Sequence, residues 1–416
     1  MALQSSDQIH QSVDHLFRHR AGQMIATLTR IFGIERLDQV EDAVQDAMVR
    51  ALRLWPYQGA PDNPSAWLIQ VAKNLMLDKL RRDSRLTETT DEIEIPRDGE
   101  SGAAFANEIR DDQLRMIFTC CHPMIPEDGQ IALTLKTVGG FSVSEIARAF
   151  LAQEPSVAKT IVRAKQRLRE FDIKLEMPAP DKLPSRLESA LKVIYLMFNE
   201  GYSALEGEEL VRTDLCHEAI RLCELLAGHP VTEAPKVHAL AALLLFQAAR
   251  LTARSDAAGE LLLLSEQDRS LWDRAMIKRG LYQLRKSASG DEISDYHLES
   301  EIASCHTLAE SFETTDWPRV LHCYEELLNR KPSPVVALNR IVAIAKVQGI
   351  EAGLLELDKL EEDRRMLNYY PFYAARGELL REAGRKSEAI DAYQKALSLT
   401  SSEPVRRFLM KRIAAL

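Results

Sequence analysis

Apolar residues recur at helical spacing along most of the chain, and glycine and proline residues divide them into segments. Residues 12–32 form one amphipathic segment, Gly33 ends it, and a second runs from about residue 38 to 54. No stretch alternates apolar and polar residues for long enough to indicate a strand. The pattern therefore predicts an all-α protein.

The segment from about residue 38 to 54 has one apolar and one acidic-polar side. The apolar side contains Val40, Ala43, Ala47 and Ala51. The other side exposes Asp42, Gln45 and Asp46, which a solvated helix face would also explain. Residues 55–67 follow with three prolines, so a loop is predicted there, and the next helix is expected to begin near Ser65 or Ala66.

The helix after this loop combines an aromatic ring, amides and a cation on one side. These residues are Trp67, Gln70, Asn74 and Arg81. Unpaired bases are bound by stacking and by hydrogen bonds to their edges, and these groups suit both interactions. Single-stranded nucleic acid is therefore a candidate ligand, although a tryptophan at a helix start is more often a core residue.

Residues 139–169 have the pattern of a helix-turn-helix motif. Ser142 and Glu145 form a capping box, so one helix should start at Val143. Pro155 favours the first turn of a second helix, which leaves residues 151–154 as the turn.

The second helix of this motif has an apolar face and a basic face. Val157, Ile161, Ala164 and Leu168 should pack on the first helix. The other side carries Ser156, Lys159, Thr160, Arg163 and Arg167. From Pro155 to Arg169 there are five basic residues, including Lys165, and no acidic one, in a chain of net charge -9. A local basic helix in an acidic protein indicates a DNA-binding surface.

Residues 185–416 form a segment that is longer than the rest of the chain. Their pattern predicts a separate helical array. Residues 177–184 are proline-rich. Counting from Tyr370, the residues Gly377, Ala389, Tyr393 and Ala396 fall at tetratricopeptide positions 8, 20, 24 and 27. Weaker copies begin near Val335 and Glu301. Stacked helix pairs of this kind leave a concave face for a protein or intramolecular partner.

Composition narrows the class of protein. No nucleotide-binding, nucleophile-elbow or zinc-protease motif is present, so the chain is predicted not to be an enzyme and to need no cofactor. The six cysteines lack metal-site spacing, so core thiols are favoured over metal ligands. No apolar run is long enough to span a bilayer and no signal pattern occurs, so a cytoplasmic protein without a membrane partner is expected.

Three separated motifs carry a resemblance to a known family. EDAVQDAMVRAL (41–52), NPSAWLIQVAKNLMLDKLRR (63–82) and the helix-turn-helix occur in the order and spacing found in bacterial sigma-70 factors of the extracytoplasmic-function subfamily. The resemblance implies that residues 10–85 are region 2 and residues 111–175 are region 4. It also implies two partners, promoter DNA and the RNA polymerase core, the latter through its β′ clamp helices and β flap.

The resemblance implies roles for individual residues. Asp42, Gln45 and Asp46 would contact polymerase. The non-template strand of the minus-10 element would be held by Asn63, Trp67, Asn74 and Asp78 near a flipped base and by Lys73, Lys79, Arg81 and Arg82 at phosphates. The minus-35 duplex would be bound by Ser156, Lys159, Thr160, Arg163, Lys165 and Arg167.

Residues 86–110 are expected to be a flexible linker between the two regions. Six acidic residues occur from Glu88 to Glu100, against one arginine, and such charge with low hydrophobicity predicts disorder. An acidic nucleic-acid mimic and a plain solvated linker explain this composition equally well.

The extension beyond a hinge at 176–184 is similar to that of the sigma-factor group with a C-terminal tetratricopeptide-like domain. LPSRLESALKVIYLMFNEGYSA (183–204) carries this likeness, which implies that residues 185–416 regulate sigma activity in cis. The alternative is a one-component helix-turn-helix regulator with a tetratricopeptide sensor. That alternative gives no role to residues 55–82.

Overall fold

The structure is a computed structural model that describes residues 21–59, 61, 63–84, 102–150, 152–203, 209–256 and 260–416. The start of the predicted first helix and residues 86–101 of the predicted linker lie outside the described residues. Across the described residues the regular structure is helical apart from an isolated bridge between Ser255 and Leu261, which confirms the all-α prediction.

The chain divides into two compact units, Met1–Met197 and Phe198–Leu416. This division lies within a helix, about a dozen residues after the proline-rich stretch at which the sequence predicts a boundary. The first half of that helix belongs to the first unit because Arg186 donates to the carbonyl of Phe118 and Lys192 pairs with Glu127.

The first unit begins with a three-helix module. Its helices are α1 (21–32), α2 (Leu37–Gln58) and α3 (Pro64–Ser84), with a 3-10 turn at Ile34–Arg36. Gly33 ends α1 with a φ of 90°, as predicted. Ala47 and Ala51 of α2 are fully buried, as is Ala72 of α3, and these small residues allow α2 and α3 to pack closely.

The loop predicted at 55–67 is shorter in the structure, because α2 continues to Gln58 and includes Pro56. Proline removes one hydrogen bond from a helix but does not end it when the neighbouring bonds persist. Here the amide of Gly59 still donates to the carbonyl of Trp55, at 2.9 Å. The loop is limited to the residues between α2 and α3.

The second module of this unit consists of four helices. They are α4 (Gly102–Cys120), α5 (Glu127–Thr137), α6 (Val143–Ala149) and α7 (Glu154–Glu170). Because α4 starts at Gly102, the last nine residues of the predicted linker are helical. The capping box is present: the Ser142 amide donates to Glu145 at 2.7 Å, and the Glu145 amide donates to the Ser142 hydroxyl at 3.1 Å. Pro155 occupies the first turn of α7.

The two modules of the first unit are packed together. A Cβ atom added to Gly22 of α1 would lie 1.9 Å from the carbonyl oxygen of Val138, so glycine is required for this approach. Arg30 of α1 lies 2.9 Å from the fully buried carboxylate of Asp112 in α4. These contacts hold α1 against the second module.

The second unit is a series of helices, most of which pack against their neighbours along the chain. After α8 (Leu183–Ser203), its helices are α9 (Glu209–Ala227), α10 (Pro235–Ala248), α11 (Arg274–Ser287), α12 (Asp295–Leu308), α13 (Trp317–Arg330), α14 (Pro334–Gln348), α15 (Ile350–Leu360), α16 (Tyr370–Glu382), α17 (Lys386–Ser398) and α18 (Glu403–Ala414). Helix α10 is buried over nearly its full circumference. It is therefore a central helix of this unit.

The helix pair predicted from Tyr370 is present as α16 and α17. A Cβ atom added to Gly377 would lie 2.5 Å from the ring of Tyr393, so the glycine lets the two helices approach. Ala389 and Ala396 are fully buried. Pairs α12–α13 and α14–α15 stand where the weaker copies were predicted, and Gly349, with a φ of 98°, separates α14 from α15.

Candidate nucleic-acid interface

The polar face of α2 is exposed and lies beside basic residues of α3. Asp42, Gln45 and Asp46 share a surface depression with Lys79 and Arg82. The ammonium of Lys79 is 3.6 Å from the carboxylate of Asp42, and both side chains are partly solvated, so the pair adds little stability. The structure thus brings the residues predicted to bind polymerase next to two of the cations predicted to bind phosphates.

Helix α3 presents a stripe of polar and aromatic side chains along one side. Asn63 caps the helix, because its Oδ1 accepts the Ala66 amide at 3.1 Å. Trp67 is half-buried, and its ring lies 5.6 Å from that of Trp55 at an angle of 60°. The amide of Gln70 donates to Asn74 at 3.1 Å. The ring of Trp67 therefore packs against a ring of α2, while the exposed amides follow it along α3.

The remaining predicted residues of α3 are at its C-terminal end. Asp78 is exposed and lies 3.6 Å from Arg81. The guanidinium of Arg82 donates to the Asp78 carbonyl at 3.2 Å. Lys73 is half-exposed on the flank of the helix. All eight predicted minus-10 residues accordingly lie at least partly in solvent: Asn63, Trp67, Lys73, Asn74, Asp78, Lys79, Arg81 and Arg82.

Helix α7 exposes most of the residues predicted to bind the minus-35 duplex. Ser156, Lys159 and Arg163 are exposed and Thr160 is half-buried. Arg167 is exposed, and its guanidinium donates to the Met124 carbonyl at 3.4 Å. Within the described part of the chain, no carboxylate lies within 4 Å of Lys159 or Arg163. These two cations are available to phosphates.

Lys165, also predicted to bind the minus-35 duplex, is buried in this structure, unlike the exposed residues of that set. Its side chain is 8% exposed, and its ammonium lies 2.8 Å from Glu41, itself 10% exposed, and 2.7 Å from Asp38. Arg169 also pairs with Asp38. Lys165 projects about 120° around the helix from Lys159, toward α2. It therefore joins the two modules of the first unit.

The charges of this contact shift the pKa of two groups. Burial alone would lower the pKa of Lys165, but the charge of Glu41 and hydrogen bonds to both carboxylates outweigh it and raise the pKa. Burial alone would raise the pKa of Asp38, but Lys165 and Arg169 outweigh it and lower the pKa. Both groups are therefore charged at neutral pH.

Sequence reasoning missed four residues that the structure places at these surfaces. Asp38 and Glu41 of α2 accept hydrogen bonds from Lys165, and nothing in the local pattern indicates this partner in α7. Val162 and Gln166 are exposed on α7 beside Lys159. Their outward direction could have been read from helical spacing, since they follow Lys159 by three and seven residues.

Known protein families match both modules of the first unit and the beginning of the second unit. Sigma-70 region 2 matches residues 16–86, sigma-70 region 4 matches residues 115–168, and a family of unknown function, DUF6596, matches residues 186–288. The chain belongs to the sigma-70 family. Its partners are thus of the classes that this family binds, RNA polymerase core and promoter DNA.

The similarity to a relative extends over nearly the whole chain. An uncharacterized protein of Rhizobium meliloti (strain 1021) is 41% identical over 385 residues, which are 91% of this chain and 90% of the relative. No solved structure matches the chain.

These matches decide between the two classes of DNA-binding protein considered from the sequence. The match to region 2 covers α2 and α3, for which a one-component regulator has no use. Sigma-70 domains belong to a transcription factor rather than a catalytic family. Among the described residues, no helix is long and apolar enough to cross a membrane, and no group of three potential ligands could hold a metal ion.

Proposed function

We propose that the chain is an extracytoplasmic-function sigma factor that binds polymerase core through α2, captures the melted minus-10 strand on α3 and reads the minus-35 duplex with α7. The observation that supports it is the presence of two exposed stripes of different chemistry in the two modules. The α3 stripe offers a ring and amides, whereas the α7 stripe offers cations.

The chemistry of each stripe fits its nucleic acid. Stacking on an aromatic ring contributes about 1–3 kcal/mol per base, and it requires that the base has left the duplex. A basic helix, by contrast, neutralises the phosphates of an intact duplex and lies in its major groove. Binding of the unpaired strand by Trp67 and Asn74 would therefore offset the cost of opening base pairs, while Lys159 and Arg163 hold the upstream duplex.

In this proposal the contact between α2 and α7 opens during initiation. The minus-10 and minus-35 elements are about 25 base pairs apart, or roughly 85 Å along a straight duplex at about 3.4 Å per base pair. Helix α7, with 17 residues, is only about 25 Å long. Modules held together through Lys165 and Glu41 cannot reach both elements, so this contact belongs to the protein before it engages a promoter.

The proposal is tested by comparing melting with polymerase binding. We expect Trp67→Ala and Asn74→Ala each to reduce open-complex formation, roughly tenfold for the tryptophan, with core binding unchanged. Permanganate reactivity of minus-10 thymines measures melting, and sedimentation with core measures binding. Tyr282→Ala, which removes an exposed ring from the second unit, serves as the control. A parallel loss of core binding in both α3 variants would contradict the assignment.

We further propose that the C-terminal array modulates this activity in cis. The array supplies stacked helix pairs, an architecture that offers an extended surface to a partner. Truncation after Ser203 is preferable to a cut at the proline-rich stretch, because the first half of α8 belongs to the first unit. Run-off transcription with the truncated and full chains should differ in yield. Equal yields from equal amounts of holoenzyme would exclude regulation by the array itself.

A further inference from the structure

One apolar side chain of α7 is out of place on a basic surface. Val162 is 62% exposed, whereas Val157, Ile161, Ala164 and Leu168 of the same helix are buried. A single exposed aliphatic residue is common on protein surfaces. Its position on the outward side of α7, all of whose residues are described, indicates a role in binding.

Val162 stands in the stripe of α7 that points away from the core. Lys159, Val162, Arg163 and Gln166 follow one another at i, i+3, i+4 and i+7, and all four are exposed. The homeodomain recognition helix reads bases with residues at this same spacing, because a helix in the major groove presents only one such stripe to the base edges. If α7 enters the groove with Lys159 and Arg163, it carries Val162 to the base edges as well.

An aliphatic side chain has one specific target in the major groove. Thymine presents the largest apolar group there, its C5-methyl, whereas most other groove positions are hydrogen-bond donors and acceptors. Valine cannot hydrogen-bond with those groups, so it would leave a donor or acceptor desolvated opposite any other base. Against the thymine methyl, both apolar surfaces leave water at no such cost.

The neighbouring residues complement this contact. Lys159 and Arg163 can donate to guanine acceptors or to phosphates, and Gln166 has the amide geometry that pairs with adenine. The amide of Gln166 donates to Glu170 at 2.7 Å, on the same exposed side of the helix. Val162 is thus the residue of the stripe that contributes apolar readout.

We propose that Val162 reads the methyl group of a thymine in the minus-35 element and so helps to set promoter specificity. This inference rests on the proposed function of α7. It adds a specificity-determining residue whose chemistry, unlike that of the cations, depends on one base and not on the phosphate backbone.

The experiment removes the methyl group from the DNA and the matching side chain from the protein. Holoenzyme is assembled from polymerase core and the full chain, and a promoter is selected from a randomised library by run-off transcription. Each minus-35 thymine is then replaced singly by deoxyuridine, which pairs in the same way but lacks the methyl. Promoter affinity is measured for the wild type, Val162→Ala and Lys159→Ala.

For the wild type, we expect deoxyuridine at one position to weaken binding about fourfold, the effect of one methyl group returned to water. Val162→Ala should reduce this ratio, because it removes the two methyl groups of the side chain. Lys159→Ala should bind more weakly overall while keeping the fourfold ratio. Because Val162 is exposed, its replacement should leave core binding unchanged.

Three results would overturn the inference while leaving the proposed function standing. The first is strong promoter binding with no sensitivity to any thymine methyl. The second is a methyl sensitivity that Val162→Ala retains in full. The third is loss of core binding by Val162→Ala, which would place the residue against polymerase. Failure of every form to bind any promoter would remove the proposed function itself.

Discussion

Two edges of α7 carry the same kind of residue and have opposite environments. On the outer edge, Lys159 and Arg163 lie in solvent without a nearby carboxylate among the described residues. On the edge that faces α2, Lys165 is buried against Glu41, and Arg169 pairs with Asp38. The comparison shows that a basic residue on a DNA-binding helix can equally serve to hold two modules together.

The largest expected effect concerns the buried pair. Glu41→Ala would leave Lys165 buried with only the half-exposed Asp38 as partner, at a cost of roughly 2–3 kcal/mol. Hydrogen exchange of α7 amides that open with this contact should then accelerate roughly 30-fold or more. Lys159→Ala is the matched control, because it removes an exposed lysine from the same helix and should change exchange by less than about threefold. Equal acceleration in both variants would remove the distinction between the two edges.

A smaller effect is expected in DNA binding. Arg163→Ala should weaken minus-35 binding by holoenzyme and reduce the slope of log affinity against log salt by about 1, because one phosphate contact is lost. Arg169→Ala, which removes the same charge from the inner edge, should leave the slope unchanged. The measurement is a salt titration of promoter affinity for both variants. A reduced slope for Arg169→Ala and not for Arg163→Ala would reverse the assignment of the two edges.

The smallest effect is expected from pH. The pKa of Asp38 is lowered in the folded protein. Its contribution to the stability of the α2–α7 contact is therefore complete above the ordinary pKa of about 3.9, and it is lost as pH falls through the lower pKa of the folded state. The pKa of Lys165 is raised in the folded protein. Its contribution to the stability of the same contact is therefore complete below pH about 10.4, and it is lost only as pH rises through the higher pKa of the folded state. The contact should therefore be constant from pH 5 to 9. The measurement is hydrogen exchange of the α7 amides, corrected for the pH dependence of the intrinsic exchange rate. A change in the corrected protection between pH 5 and 9 would contradict this expectation.

Much of the architecture could be predicted because its determinants are local. The capping box at Ser142 and Glu145, the start of α7 near Pro155 and the small residues of the α16–α17 pair each depend on neighbours within one or two turns. Helical spacing likewise identified the exposed stripe of α3 and the outer side of α7. These features follow from propensity and periodicity.

The errors arose where a distant neighbour decides the outcome. Lys165 lies among other basic residues of α7, so the sequence predicts that it binds DNA with them. Its burial depends on Glu41, which is 124 residues away in the sequence. Pro56 reads as a loop residue, yet the hydrogen bonds around it maintain α2 to Gln58. The division within α8 likewise depends on the contact of Arg186 with Phe118, which no local pattern encodes.

Run-off transcription with purified polymerase core tests the central claim most directly. The account predicts that the full chain directs transcripts from defined start sites in a promoter library, and that Arg163→Ala and Trp67→Ala both reduce them while each still binds core. Binding of duplex DNA by the full chain without polymerase, together with no core binding and no transcript, would contradict the account and favour a helix-turn-helix regulator.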